Sequence, residues 1–114
     1  LYNMIVMDES LGLKLSALAD PTRRAIVVRL ASGHASVAEL QKPFGISQPA
    51  ISRHLRILEA AGLIETGRVG QSRPRRLRND AFEDLGSWVG QLAACWRDSF
   101  DRLDALLDSG EDQR

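Results

Sequence analysis

Cysteine and histidine are almost absent from this chain: Cys95, His34 and His54 are all it has in 114 residues. One cysteine excludes an internal disulfide and suits a reducing compartment, so a cytoplasmic protein is expected. A zinc centre needs about four ligands, usually in paired short spacings. These scattered residues do not supply one, and neither a metal nor a cofactor is expected. Cys95 stands beside Trp96 in an apolar pattern and reads as inert packing. Long apolar runs are missing too: no stretch could span a bilayer, and Leu1 to Met7 is too short for a secretory signal and lacks its basic start. Leu1, Tyr2 and Asn3 precede the first Met and are given no weight. Net charge is lacking, with fifteen Lys and Arg against fifteen Asp and Glu. No glycine-rich phosphate loop follows a strand pattern. Ser52 and His54 lie two apart on a helix and point away from each other, so no catalytic residue and no enzyme is expected. Without repeats, low-complexity tracts or linkers, residues 1–114 read as one domain with a modest core.

What is present centres on G-I-S-Q-P-A-I-S-R-H-L-R-I-L-E-A-A-G-L, residues 45–63. Ser47 suits an N-cap, Pro49 falls in the first turn where a missing N–H does no harm, and Gly62 supplies the left-handed residue that ends a helix. A helix over 47–61 follows. At about 100° per residue, Ile51, Leu55, Leu58 and Ala61 share one face with His54 at its edge. Pro49, Ser52, Arg53 and Arg56 gather opposite, and Gln48 protrudes near the start. An apolar back and a Gln/Ser/Arg front suit a docked helix reading the DNA major groove, because Gln and Arg each make bidentate contacts with base edges. A solvated amphipathic helix would show the same pattern.

The flanking segments favour the first reading. Leu11, Leu15 and Leu18 mark a first helix ending near Ala19. Asp20-Pro21 opens a second that runs through Ile26, Val27 and Leu30 to Gly33, and His34 after it reads as a surface loop residue. Ser36-Val-Ala-Glu39 has capping-box spacing, and Pro43 limits the short helix it starts. With the helix that follows, this makes a helix-turn-helix over about 36–61. Residues 63–69 and 73–78 then form a hairpin around a flexible Gly70-Gln-Ser tip, over about 63–78, with arginine on its outward positions. Five arginines between 68 and 78 suit phosphate contact. The charge is segregated: residues 47–78 carry seven Arg against two Glu, and residues 79–114 carry three Arg against nine Asp and Glu. Asn79 or Asp80 caps a long last helix over about 80–107. Leu85, Trp88, Val89, Leu92, Trp96, Leu103 and Leu106 recur along it at threes and fours. Its aspartates, with no glycine-bearing loop, read as a solvated stripe and not a cation site. The apolar stripe is long for packing on so small a domain, so part of it, with the first helix, is expected to form a dimer interface.

The segments A-L-A-D-P-T-R-R-A-I (17–26), S-V-A-E-L (36–40) and S-Q-P-A-I-S-R-H-L-R-I-L-E-A-A-G-L-I (47–64) resemble bacterial repressors of the ArsR/SmtB family, over about residues 11–107. The resemblance implies a mainly α (α+β) winged helix-turn-helix with about five helices and a two-stranded β-hairpin wing. It also implies a homodimer through the first and last helices that represses at a partly palindromic operator, often its own promoter. Ser47, Gln48, Ser52, Arg53 and His54 match positions that contact DNA in the family, and the hairpin arginines match its wing. Metal-sensing members often carry C-x-C in the third helix, or Asp and His ligands across the last. Here Val37-Ala-Glu-Leu40 has no cysteine and the last helix no histidine, which is closer to members without a recognised metal site. Gln41 also stands where a small residue is common.

The expected partners are therefore double-stranded DNA and a second copy of the chain. Gln48 and Arg53 are assigned to base reading. Ser47, Ser52, His54 and Arg56 are assigned to backbone positioning, Pro49 lies on the same DNA-facing side, and the wing arginines Arg68, Arg73, Arg75 and Arg76 run along flanking phosphates or in the minor groove. Leu11, Leu15, Trp88, Leu92, Trp96 and Leu103 are assigned to the dimer seam. Release would come from an effector, small molecule or other, that binds the free dimer better than the DNA-bound one. The rival reading is a helical dimerisation module that binds another protein; the retained Gln48/Arg53 front and the arginine wing speak against it.

Overall fold

The computed structural model describes residues 9–112, with side chains through residue 109. The chain order is α1 (Glu9–Ala17), α2 (Pro21–Leu30), α3 (Val37–Gln41), a 3-10 turn (Lys42–Phe44), α4 (Gln48–Ala60), β1 (Ile64–Thr66), β2 (Arg75–Leu77) and α5 (Asn79–Asp112). The segment 1–7 read against a secretory signal lies outside the described residues, and no helix among those described is long and apolar enough to cross a membrane.

The starts of α2, α3 and α4 are written in side-chain chemistry. Asp20 takes extended backbone and its carboxylate accepts from the Arg23 N–H at 3.0 Å, with Pro21 in the first turn. That backbone N–H holds the Asp20 carboxyl below its ordinary pKa. At α3 the capping box closes both ways: Glu39 N–H donates to Ser36 Oγ (3.2 Å) and Ser36 N–H donates to Glu39 Oε1 (3.1 Å). The Ser36 N–H, foremost, lowers the Glu39 pKa. Pro43 then tightens the chain into the 3-10 turn, and Gly45 at φ 62° reverses it toward α4. Gln41, noted above for its size, is half-buried and spans this turn by donating Nε2–H to the Ile46 carbonyl at 3.1 Å.

One core holds the body together. Ile26 and Leu30 of α2, Leu40 of α3, Ile51, Leu55 and Leu58 of α4, and Leu63 and Ile64 at the hairpin base are all buried. Burying each such side chain contributes about 1.5–3 kcal/mol. Ala81 and Leu85 bring the start of α5 onto this cluster.

The hairpin pairs Ile64, Glu65 and Thr66 with Leu77, Arg76 and Arg75, antiparallel. Its register continues through Gly67 N–H to the Pro74 carbonyl (2.7 Å) and a Val69–Ser72 bridge. Ser72 is thus paired, and the tip is two residues, Gly70-Gln71, in place of the expected three. Gly70 has φ 61° while Gln71 does not share a positive φ, as a type II′ turn requires. A second departure lies before α3. Ala35 exchanges both backbone hydrogen bonds with Arg75 (3.0 and 2.8 Å), adding a one-residue third strand that anchors the hairpin to the helix-turn-helix.

α1 is corrected in detail. It ends at Ala17, and its buried face is Leu11, Lys14 and Ala17; Leu15 is exposed, as is Leu13. Leu11, assigned to a dimer seam, is only 9% exposed and belongs to the subunit's own core, so it has little surface left to offer a partner. Lys14 reaches burial by donating Nζ–H to Ser10 Oγ at 2.6 Å.

At 34 residues, α5 is about 51 Å long. It leaves the body behind: the molecule extends 73 Å along its long axis and has a radius of gyration of 19.9 Å, against about 13 Å for a compact chain of this length. Trp88 packs partly on the core, with its Nε1 buried, so it lies at the edge of the body. Beyond it Val89, Leu92, Trp96, Phe100, Leu103 and Leu107 are all exposed. These six follow spacings of three and four over 19 residues, five turns, and so form one straight apolar stripe.

Candidate nucleic-acid interface

α4 is placed by its back. Ile51, Leu55 and Leu58 are each at most 2% exposed, which fixes the helix's rotation and turns Gln48, Pro49, Arg53 and Arg56 to solvent. Ser47 caps the helix, its Oγ accepting from Ala50 N–H at 3.3 Å. Gly62 at φ 79° ends it, and the Leu63 N–H returns to the Leu58 carbonyl at 3.0 Å. The side chains of Gln48, Arg53 and Arg56 make no hydrogen bond or ion pair with other described residues. They are held out on a rigid element with their donors unspent, as base-edge or phosphate contacts require. Ser52 is half-buried on the flank of that face.

His54 has a different placement. It is half-buried, and its Nδ1 lies 3.3 Å from an Arg23 guanidinium nitrogen. One ring nitrogen is therefore spent inside the fold, leaving only the other for DNA.

The wing arginines also differ among themselves. Arg68 is exposed and has no partner among the described residues. Arg73 lies at the tip, donating to the Gly70 and Ser72 carbonyls (3.2 and 3.1 Å). Arg76 pairs with Glu65 across the hairpin, which offsets its charge. Arg75 is half-buried, ladders with Ala35 and donates to the Arg73 carbonyl, so its guanidinium serves the hairpin. Thr66 Oγ1–H donates to Glu59 Oε1 at 2.9 Å, tying β1 to the end of α4. The tip and the helix start face one groove of about 400 Å³, lined by Ser36, Gln41, Gln48, Gln71 and Arg73 among others. The two surfaces read separately from the sequence thus form one continuous face.

Among the described residues no three of His, Cys, Asp and Glu are grouped to hold a metal ion. Residues 20–66 match the family model described as "Bacterial regulatory protein, arsR family". The HTH-type transcriptional regulator Rv2034 of Mycobacterium tuberculosis is 48% identical over 96 residues, covering 84% of this chain and 87% of that protein. The chain belongs to the ArsR family. The transcriptional repressor SdpR of Bacillus subtilis is 37% identical over 73 residues, 64% of this chain and 81% of that one. Among solved structures, an ArsR family transcriptional regulator superposes with a TM-score of 0.72 at 37% identity, covering 78% of this chain and 98% of that one. A Mycobacterium bovis domain described as a homodimeric winged helix-turn-helix DNA-binding domain gives 0.63 at 26% identity, over 75% and 80%.

This ArsR-family chain is accordingly a winged helix-turn-helix transcriptional regulator and not an enzyme. Three features escape the reading of its sequence. Arg23 lies in the quoted A-L-A-D-P-T-R-R-A-I segment, but nothing local shows that it reaches 31 residues ahead to His54. Phe100 and Leu107 belong to the exposed stripe, and continuing the threes and fours past Trp96 would have found them. Ala35 as a third strand has no signal at all in a single residue.

Proposed function

We propose that two copies of this chain form a repressor that inserts α4 into successive major grooves of a partly palindromic operator, with the hairpin as a wing on the flanking backbone. The observation that carries this reading is the exposed side of α4, where Gln48, Arg53 and Arg56 stand free of partners among the described residues above a buried back. Gln48 and Arg53 read bases. Ser47, Pro49, Ser52, Arg56 and the Nε2 side of His54 seat the helix. Arg68 and Arg73 supply most of the wing's backbone attraction, with Arg75 and Arg76 holding its shape.

The second copy is supported by the α5 stripe. Val89, Leu92, Trp96, Phe100, Leu103 and Leu107 form an apolar surface larger than a monomer ordinarily leaves in water, and Leu13 and Leu15 add exposed apolar surface on α1. Trp88 flanks this seam, and Leu11 supports it from the core. Paired recognition helices about 34 Å apart would read half-sites on one face of the duplex. The parts then divide as helix-turn-helix (36–61), wing (63–78) and dimerisation helix (from about 80) of one domain acting in the cytoplasm. Release would follow from an effector that favours the free dimer.

Selection of bound duplexes from a random pool tests the reading. An enriched sequence with two related half-sites about one helical turn apart is the expected result; no enrichment over input, with the protein folded and dimeric, would leave the protein-interaction module as the better account.

A further inference from the structure

Arg23, in the first turn of α2, ties that helix to both α1 and α4. Its backbone N–H donates to Asp20 at the start of α2. Its Nε–H donates to the Ala17 carbonyl at 2.6 Å. That carbonyl belongs to the last turn of α1, where helical carbonyls lack partners and a cation is favoured. A terminal guanidinium nitrogen then lies 3.3 Å from His54 Nδ1, midway along α4. Arg24 fastens the same corner separately, donating to the Leu18 and Ala19 carbonyls, both at 3.0 Å. Arg24 alone could hold the α1–α2 turn; of the two arginines, Arg23 adds a polar contact with the recognition helix.

A guanidinium has donors and no acceptor. A hydrogen bond between the two therefore has His54 Nδ1 accepting, which is the tautomer with the ring proton on Nε2. The imidazole is half-buried at the boundary between the core-facing and DNA-facing sides of α4, so Nε2 is the nitrogen left for an external acceptor. Resting on the DNA-reading role argued above, we propose that Arg23 is a positioning residue. By donating to the end of α1 and to His54 Nδ1 together, it fixes α4 against α1 and turns the His54 Nε2–H outward as a donor to the DNA backbone. α1 also carries the exposed Leu13 and Leu15, so the contact joins a helix of the proposed dimer face to the reading helix through rigid groups.

Two measurements test this. Long-range proton–nitrogen correlation of the His54 ring in the free protein needs no DNA. It should show the proton on Nε2 in the parent and a mixture of tautomers in Arg23→Lys, which keeps the charge but cannot fork between Ala17 and His54. A ring protonated on Nδ1 in the parent would overturn the proposal even if operator binding is confirmed. If instead the pool selection fails while the tautomer is as stated, the fault lies with the repressor reading and not with the contact.

The second measurement is titration of the selected duplex and a scrambled one at several salt concentrations. Arg23→Lys should lose about tenfold in preference for the selected duplex, within the range for residues coupled in one network. Its salt slope should be unchanged, because Arg23 touches no phosphate. His54→Asn keeps an acceptor near the Nδ1 position and should retain more of the preference than His54→Ala, and adding Arg23→Lys to His54→Ala should cost little more. Full preference in a folded Arg23→Lys protein would overturn the proposal, as would an equal loss on both duplexes with a lower salt slope. A lowered melting temperature with preference intact would make Arg23 a structural residue only, and would equally overturn it.

Discussion

In α4, Ile51, Leu55 and Leu58 recur at helical spacing and are buried; in α5 beyond Trp88, Leu92, Trp96 and Leu103 recur at helical spacing and stand 45%, 69% and 53% exposed. The residue types hardly differ. What differs is the chain available to cover them: α4 is enclosed by α2, α3 and the hairpin, whereas α5 runs past the end of the body with no other described element beside it. An apolar period thus reports that a face will be covered, and the number of other elements within reach decides whether the subunit can do the covering itself. The same contrast holds for charge. Arg53 and Arg56 on α4 are unpaired, while Arg76 and Arg78 of the hairpin stem are matched with Glu65 and Asp80, so a high local count of arginine overstates the charge the face presents.

The largest effect should come from emptying the covered stripe. Leu58→Ala is expected to destabilise the subunit by about 2–5 kcal/mol, through lost transfer energy and the cavity left behind. Trp96→Ala should leave the dilute subunit's unfolding much less changed, while reducing the dependence of the melting temperature on protein concentration that a dimer shows. Denaturant unfolding at two concentrations reads both. Equal losses in the two variants would mean that Trp96 is covered within one subunit and would remove the contrast.

The unpaired arginines sharpen it next. Arg53→Ala should cost about 1–3 kcal/mol on the selected duplex and relax preference at one or two base pairs if it reads a guanine edge. Binding-site selection repeated with the variant shows which positions relax. Unchanged affinity would remove Arg53 from the reading face.

Within the wing the ranking follows pairing. Arg68→Ala should lower the slope of log affinity against log salt by about one and weaken all sequences alike. Arg76→Ala should change that slope less, because Glu65 already offsets its charge. Affinity titrated over a salt series decides between them, and equal slopes would show that the Glu65 pairing opens on DNA.

Most of the body is legible in the sequence. Asp20-Pro21, Ser36 with Glu39, and Ser47 with Pro49 and Gly62 are local signals, and each acts through backbone groups within a few residues, so the helix ends they imply were found. The hairpin was legible from its glycines and arginines, but its register and two-residue tip depend on pairing between strands. Long-range partners explain the rest. His54 is held by Arg23 from another helix, Arg75 is claimed by Ala35, and Leu11 is drawn into the core because α1 rotates to bury Leu11 and Ala17 in place of Leu15. No spacing rule carries that information.

The smallest expected effect is at the cap of α3. Ser36→Ala removes the acceptor for the Glu39 N–H and should cost about 1 kcal/mol. Glu39 and Asp20 both have lowered pKa values in the folded chain. The stability they lend is present above their ordinary unfolded values and is lost as pH falls through the lowered folded ones. Thermal melts from neutral to acid pH should therefore converge for the parent and Glu39→Ala, and a constant gap would show that the carboxylate's ionisation is not what stabilises the cap.

The central claim is that the uncovered half of α5 sets the distance between two reading helices. Trp96→Asp would bury an unpaired carboxylate in that seam while lying outside the subunit's own core. Sedimentation and titration of the selected duplex on one sample test it together. The account predicts a monomer whose body still folds, which binds DNA weakly through its arginines and no longer distinguishes the two-half-site duplex from a scrambled one. A folded monomer that keeps the parent's full preference, or a variant that remains as tightly dimeric as the parent, would contradict it.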